Sequence, residues 1–185
     1  DDCALPQRLE RQANLLDSQP EVGLCGTQVR FFGSTIRQGL VRYQNWINNL
    51  VTHEEIMRDL FIECPLPHPT FMFRRETWEN LGGYKEVSWP EDYDFCMRSV
   101  IKGWKLAKVP EVLLLWRDSQ TRLSRTSDRY SPKEFRNLKR FYLQAMGFFR
   151  KERTLVQWGA GEVGKLWLRE WITPRPSAVV DINPR

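Results

Sequence analysis

Between residues 5 and 18 the apolar positions Leu5, Leu9, Ala13 and Leu16 fall on one helical face. Pro6 near the start and Pro20 beyond the end bound this segment, which reads as a helix. Residues 22–32 are rich in β-formers, with Gly23, Gly26 and Gly33 marking kinks or close backbone approach, and read as a strand. Thr52-His53-Glu54-Glu55 has the spacing of a capping box and opens a short helix to about Phe61. The prolines of Cys64-Pro-Leu-Pro-His-Pro-Thr70 exclude a helix interior, so an extended loop is expected there. A short strand follows over residues 70–74. Residues 76–81 form a helical turn that Gly82-Gly83 stops with a left-handed cap. Pro90-Glu91-Asp92 opens a further helix whose acids complement the dipole, and Gly103 closes it. Around Pro110, residues 105–116 are apolar and β-rich, giving two short strands or one strand with an edge break. Residues 117–131 form a polar loop rich in Ser, Thr and Arg. Pro132 then starts a helix in which Phe135, Leu138, Tyr142, Met146 and Phe149 recur at helical spacing, inside the basic stretch 133–153.

The pattern changes after Arg153. Residues 154–158 read as a strand, Gly159-Ala-Gly161-Glu-Val-Gly164 as a glycine turn, 165–171 as a helix and 178–181 as a second strand. This is a βαβ unit, and a boundary near residue 150 divides the chain into 1–150 and 151–185. The fold class is therefore α/β.

Composition narrows the function. The 185 residues are 41% hydrophobic and 28% charged, a soluble globular composition, and 28 Lys+Arg against 23 Asp+Glu give a formal charge of +5. The longest uncharged stretch, Tyr43 to His53, is polar, which argues against a transmembrane helix. No signal peptide is expected behind an opening Asp1-Asp2, and without an initiator Met the chain reads as a fragment or a processed product. Cys3, Cys25, Cys64 and Cys96 are scattered singly, so reduced thiols in a cytoplasmic protein are expected. With only His53 and His68, a zinc site is disfavoured, and a hard cation held by carboxylates is the metal to expect. No recognisable module focuses the mild positive charge, so nucleic acid is not an expected partner. The basic amphipathic helix suits either peripheral contact with an anionic membrane surface or packing of its aromatic stripe into a core; packing is the commoner outcome.

Three constellations carry chemistry in the first segment. Asp1-Asp2, just ahead of a helix, could hold Mg²⁺ or Mn²⁺ through carboxylate oxygens; acids at such a place more often simply complement the dipole. Glu91-Asp92 sits at a helix start, where the dipole favours the anion and keeps Asp92 ready to accept a proton; Asp94 and Arg98 are spaced to pair on the helix surface. His68, locked between prolines, could line a site, with Arg74 or Arg75 facing an anionic group. Downstream, Gly159, Gly161 and Gly164 with Asp181 seventeen residues on have the dinucleotide-binding layout.

Read in order, D-D-x(3)-P-x-R-L-E-x-Q, P-E-V-G-L-C-G, H-P-T-F-M-F-R-R, G-G-Y-x(6)-E-D-Y-D-F-C-M-R and V-P-E-V-L-L-L-W-R resemble the family 2 glycosyltransferases of GT-A fold. The resemblance runs from Asp1 to about Tyr130, roughly the second half of that catalytic domain. It implies a partial GT-A domain, its acceptor-side half in residues 1–150, followed by the first βαβ of a Rossmann-like domain. It also implies inverting transfer of a sugar from a nucleotide-diphosphate sugar to a carbohydrate or glycoconjugate acceptor. Asp1 matches the last acid of the family's metal motif and Asp2 the acid beside it, for Mg²⁺ or Mn²⁺. Asp92 matches the catalytic base, with Glu91 beside it, and His68, Arg74 and Arg117 match positions lining the acceptor or diphosphate. Ser119 stands where many relatives carry histidine, which weakens the case for a third metal ligand. A second reading, from another class, is a non-catalytic nucleotide-binding or interaction module built on Gly159 to Asp181. A dehydrogenase is disfavoured because no His or Lys sits suggestively downstream of the glycine turn.

Overall fold

The computed structural model describes residues 2–33, 36–149, 154–170 and 175–182. The chain divides into two compact units, residues 1–135 and 136–185.

The first unit is α/β, built on a mixed four-stranded sheet. Its elements run β1 (Cys3–Ala4), α1 (Arg8–Ser18), β2 (Val22–Phe32), α2 (Gln38–Asn48), α3 (His53–Asp59), β3 (Met72–Phe73), α4 (Arg75–Leu81), α5 (Glu91–Ile101), β4 (Lys105–Arg117), α6 (Leu123–Thr126) and the start of α7 (Pro132–Ala145). Across the sheet the order is β1-β4-β2-β3. The long β2 and β4 are parallel, while β1 and β3 pair antiparallel to them. Between β2 and β4 the chain crosses over through four helices. Val22 to Thr27 is buried without a break, as expected of a parallel strand covered on both faces. From there to Phe32 burial alternates, Val29 and Phe31 facing inward. Leu16 of α1 packs with Val22, Cys25 and Ala107, and Ile47 of α2 packs with Val29 and Leu114.

Pro110 does not divide β4. The strand runs continuously from Lys105 to Arg117, and the register against β2 steps from Thr27↔Val109 to Gln28↔Val112. Pro110 and Glu111 are thus excluded from the ladder, and a bulge absorbs the proline's missing N–H.

β3 covers only Leu24 and Cys25, leaving the rest of that edge of β2 without a strand. The uncharged polar stretch of α2 fills the gap. Gln44 Oε1 accepts the Phe31 N–H at 2.7 Å, and the Asn48 amide accepts from Val29 N–H at 2.9 Å and donates to Val29 O at 2.8 Å. Two amides spaced four apart on a helix satisfy backbone groups that would otherwise need a strand. Lys108, 1% exposed, ties the end of α2 to the proline loop by donating to the carbonyls of Ile47 and Pro65. Burial lowers its pKa to about 7.

Thr52 caps α3 in a full capping box, its hydroxyl accepting from Glu55 N–H while the Glu55 carboxylate accepts from Thr52 N–H. On the outer edge of β4, Lys108 N–H donates to Val51 O, and Leu106 N–H donates to Nδ1 of His53 at 3.2 Å. A protonated imidazole cannot accept that bond. Burial, with Lys105 nearby, holds the His53 pKa below its ordinary value. The neutral ring's contribution to stability is therefore complete above the unfolded pKa of about 6.5 and lost as pH falls through the folded value. Urea unfolding should show wild type losing more stability than His53→Gln between pH 8 and pH 5; equal losses would remove His53 from this role.

α4 ends at Gly82, whose φ of 65° supplies the expected left-handed cap. α5 spans Glu91 to Ile101, with Pro90 as its N-cap residue. The Asp94–Arg98 pair forms at 2.7 Å, but in the interior rather than on the surface: Asp94 is buried and also accepts from Trp89 Nε1, and Arg98 donates to Leu81 O.

In α7, which ends at Ala145, Leu138 and Tyr142 of the apolar stripe are buried. The far end of the expected basic helix, residues 150–153, lies outside the described residues. The second unit holds β5 (Val156–Trp158), α8 (Glu162–Glu170) and β6 (Ala178–Val180), with β5 and β6 parallel, Gln157 opposite Val179. Trp171, the expected last residue of this helix, is also outside the described set. Among the described residues no helix is long and apolar enough to cross a membrane.

Candidate functional site

Parallel strands leave a crevice beyond their carboxyl ends, and a cavity of about 660 Å³ lies there in the first unit. Phe31 and Trp116, near the ends of β2 and β4, form one wall, their rings stacked 4.9 Å apart. Tyr43 of α2 adds to it. Asp2 lines the same cavity because β1 pairs with the end of β4, and its Oδ1 accepts the Arg117 N–H at 2.8 Å. Opposite are Pro90, Glu91 and Asp92 at the start of α5, and His68 from the proline loop.

His68 is carried on a single 3₁₀ turn, His68 to Thr70. Thr70 seats that turn on β2: its hydroxyl donates to Pro67 O at 2.7 Å and accepts Thr27 N–H at 3.2 Å. A side chain at Gly26 would lie 2.9 Å from that hydroxyl, so the close approach requires glycine. The imidazole lies between Asp92 and Tyr84. Nδ1 is 3.9 Å from Asp92 Oδ2, and Nε2 is 2.9 Å from the Tyr84 hydroxyl.

Asp92 is 9% exposed, and its Oδ1 accepts the N–H of Tyr93 at 2.8 Å. Its place at the helix start was expected to stabilise the anion. Burial is the larger effect: it raises the Asp92 pKa above the ordinary carboxylate value, against the opposing pull of His68 and the backbone N–H groups. Glu91 behaves differently. Burial pushes it up, but its own backbone N–H and the Arg129 guanidinium, 3.0 Å away, outweigh this and hold it low. Adjacent carboxyls are thus driven apart in basicity, Asp92 being the better proton acceptor.

The loop after β4 brings cations that motif reading did not single out. Arg122 lies 4.4 Å from the centre of the Trp116 ring and shares Asp118 with Arg125, which is 2.6 Å from that carboxylate. Both arginines line the cavity, as does Tyr130, whose hydroxyl is 3.4 Å from Glu91. The Arg-rich composition of residues 117–131 was the available signal; which arginines face inward depends on Asp118 and Glu91.

Other expected site residues lie elsewhere. Arg74 does not line the cavity: its guanidinium donates to the carbonyls of Val22, Leu16 and Gln19, joining the end of α1 to β2. Arg117 lines a separate hollow of about 620 Å³ with Arg37 and Asp118. Asp1 lies outside the described residues. Among the described residues no three His, Cys, Asp or Glu side chains gather as a cation site. Asp2 alone is one carboxylate, with one oxygen already engaged, and does not make a complete ligand set.

In the second unit, Gly159, Gly161 and Gly164 line a cavity of about 890 Å³. The glycine turn sits between β5 and α8, and a side chain at Gly164 would collide with the Gly159 carbonyl. Asp181 is turned onto this loop, its Oδ2 accepting the Ala160 N–H at 2.6 Å. A carboxylate therefore already engages an amide that a pyrophosphate would approach.

No known family profile matches the chain. Individual proteins do. Over 125 residues, 68% of this chain and 45% of the relative, it is 29% identical to an uncharacterized glycosyltransferase of Haemophilus influenzae. Over 114 residues, 62% of this chain and 41% of the relative, it is 29% identical to the amylovoran biosynthesis glycosyltransferase AmsE of Erwinia amylovora. An uncharacterized glycosyltransferase of Methanocaldococcus jannaschii is 26% identical over 120 residues, 63% of this chain and 39% of the relative. The chain is similar to glycosyltransferases. It spans less than half the length of each of these curated relatives.

Proposed function

We propose that the first unit is the acceptor-side half of a GT-A glycosyltransferase domain of family 2 type. In this reading it transfers a sugar from a nucleotide-diphosphate sugar to a hydroxyl of a carbohydrate or glycoconjugate, with inversion. The observation that carries it is the buried Asp92, raised in basicity, on one cavity with His68 and Asp2, which come from remote motifs. Asp92 takes the proton of the acceptor hydroxyl as its oxygen attacks the anomeric carbon; the nucleoside diphosphate leaves from the opposite face. A carboxyl raised toward the working pH binds that proton more tightly than an ordinary aspartate. Glu91, held as an anion by Arg129, stays out of the transfer and anchors the loop that carries Arg122 and Arg125. The aromatic wall of Phe31, Tyr43 and Trp116 offers flat apolar surface to a sugar ring. The similarity to AmsE, named for amylovoran biosynthesis, supports a polysaccharide-type acceptor.

Mg²⁺ or Mn²⁺ would be held through Asp1 and Asp2 and would neutralise charge on the departing diphosphate. The intact protein, given a panel of nucleotide-diphosphate sugars, is expected to release nucleoside diphosphate in an acceptor-dependent way and to form product of inverted anomeric configuration. A chelator should abolish release, and Mg²⁺ or Mn²⁺ should restore it. Retained configuration would overturn the direct-displacement reading, and release unaffected by chelation would remove Asp1 and Asp2 from metal binding. The alternative, a nucleotide-binding module on the glycine turn of the second unit, has less support because Asp181 already engages the Ala160 N–H.

A further inference from the structure

The two nitrogens of a neutral imidazole have opposite roles, one carrying the proton and the other accepting, so a hydrogen bond at one dictates the other. His68 has a phenol 2.9 Å from Nε2 and a carboxylate oxygen 3.9 Å from Nδ1. We propose that Tyr84 is a positioning residue: its O–H donates to Nε2 of His68, which sets the ring proton on Nδ1, facing Asp92, and favours the ionised carboxylate from which proton transfer must start. This rests on the reading of Asp92 as base.

Several features hold Tyr84 to that task. Its ring packs 5.2 Å from Phe95 and edge-on to Trp78 at 5.4 Å, while Trp78 stacks on Phe73 at 5.2 Å. The His68 ring is in turn held edge-on to Phe71 at 5.0 Å. Partial burial of this residue, which is 38% exposed, together with the Cys96 thiol and the acids Asp92 and Glu91 nearby, raises the Tyr84 phenol above its ordinary value, so it remains a donor. The ionisable groups coupled electrostatically to Asp92, besides His68, are Glu91, Tyr43, Cys64, Tyr84 and Tyr130. Glu91 is held as an anion beside Arg129, and burial keeps the phenols and the thiol protonated. His68 is therefore the neighbour of Asp92 whose proton has two alternative seats, one on each ring nitrogen. The arrangement has a local origin: Tyr84 follows the Gly82-Gly83 stop of α4, and the turn bearing His68 lies on Gly26.

The full chain has two histidines, so long-range ¹H–¹⁵N spectra separate His68 from His53 without substrate. In wild type at pH 8, His68 is expected as the Nδ1–H tautomer. In Tyr84→Phe, which keeps the ring in its aromatic cluster, the Nε2–H tautomer should take over. The Asp92 carboxyl midpoint, followed by ¹³C, should rise by about half a pH unit. In a His68→Ala background the same substitution should move Asp92 no further, because Tyr84 then has nothing to act through. An unchanged tautomer, or an Asp92 shift that persists without His68, overturns the proposal. The base reading fails by a different result, undiminished turnover in Asp92→Asn, so the two are told apart.

Discussion

Asp92→Asn in the intact protein is expected to lower transfer about 10²- to 10⁴-fold, the usual worth of a general base, while raising Tm at pH 8. The loss follows from removing the proton acceptor without disturbing its surroundings: asparagine retains an oxygen for the Tyr93 N–H that Asp92 Oδ1 now accepts. The stability gain follows from the direction of the pKa shift. Burial raises Asp92 above its unfolded value, so the protonated carboxyl is the form the fold prefers. That contribution is complete below the unfolded pKa of about 4 and lost as pH rises through the folded value, leaving wild type to bear a buried charge at pH 8. The advantage of Asn in Tm should shrink toward pH 4. Unchanged turnover would overturn the base assignment, and a lower Tm at pH 8 would overturn the account of its burial. Greater stability with less activity is the trade-off expected where a site holds a group the fold would rather not ionise.

Two positions on, the same kind of residue has the opposite value. Asp94→Ala is expected to destabilise by about 3–5 kcal/mol, because it removes the buried carboxylate that pairs the part-buried Arg98. Asp94 accepts from Arg98 Nε at 2.7 Å and from Trp89 Nε1 at 2.9 Å, and Arg98 reaches on to Leu81 O at 3.0 Å. The pair thus joins the end of α4 and the approach to α5, the segment that delivers Asp92 to the cavity. For a chain of this size the expected fall in Tm is roughly 6–20 °C. Calorimetry giving a fall under a degree or two would mean that the pair is replaceable by water. Asp92 and Asp94 share a helix turn and a dipole; what separates them is that Asp94 has a permanent cation at hydrogen-bond distance, whereas Asp92 has an imidazole 3.9 Å away.

That contrast also shows where sequence reading succeeds and stops. Interactions of short range were legible: β2 over residues 22–32, the capping box at Thr52, and the stop at Gly82 each depend on a few adjacent side chains. Long-range ones were not. α2 went unpredicted because its amides have no purpose until β2 presents an open edge beside it. Pro110 suggested a break because a bulge needs a partner strand to accommodate it. Within the site, Asp2, His68, Glu91 and Asp92 were identified by motif order and all line one cavity. Arg74 instead serves three carbonyls, and the inward-facing arginines after β4 were hidden in a loop that composition alone describes. The upward shift of the Asp92 pKa was not foreseen because the dipole is visible in sequence and desolvation is not.

The seal that α2 places on β2 also bears on how such a cavity can diverge. Leu40 and Tyr43 look into the cavity, and Gln44 and Asn48, on the same helix, hold the sheet edge. Shape and solubility are therefore written on separate residues of one element. On the proposed function, descendants of this chain can trade Leu40 for other side chains and so try new acceptors without uncovering β2. Tyr43, by contrast, is tied to the core at Val29 and Leu114, and losing either amide would bare a sticky edge whatever the ligand. On the proposed function, such a division of duties lets substrate choice drift faster than the scaffold beneath it.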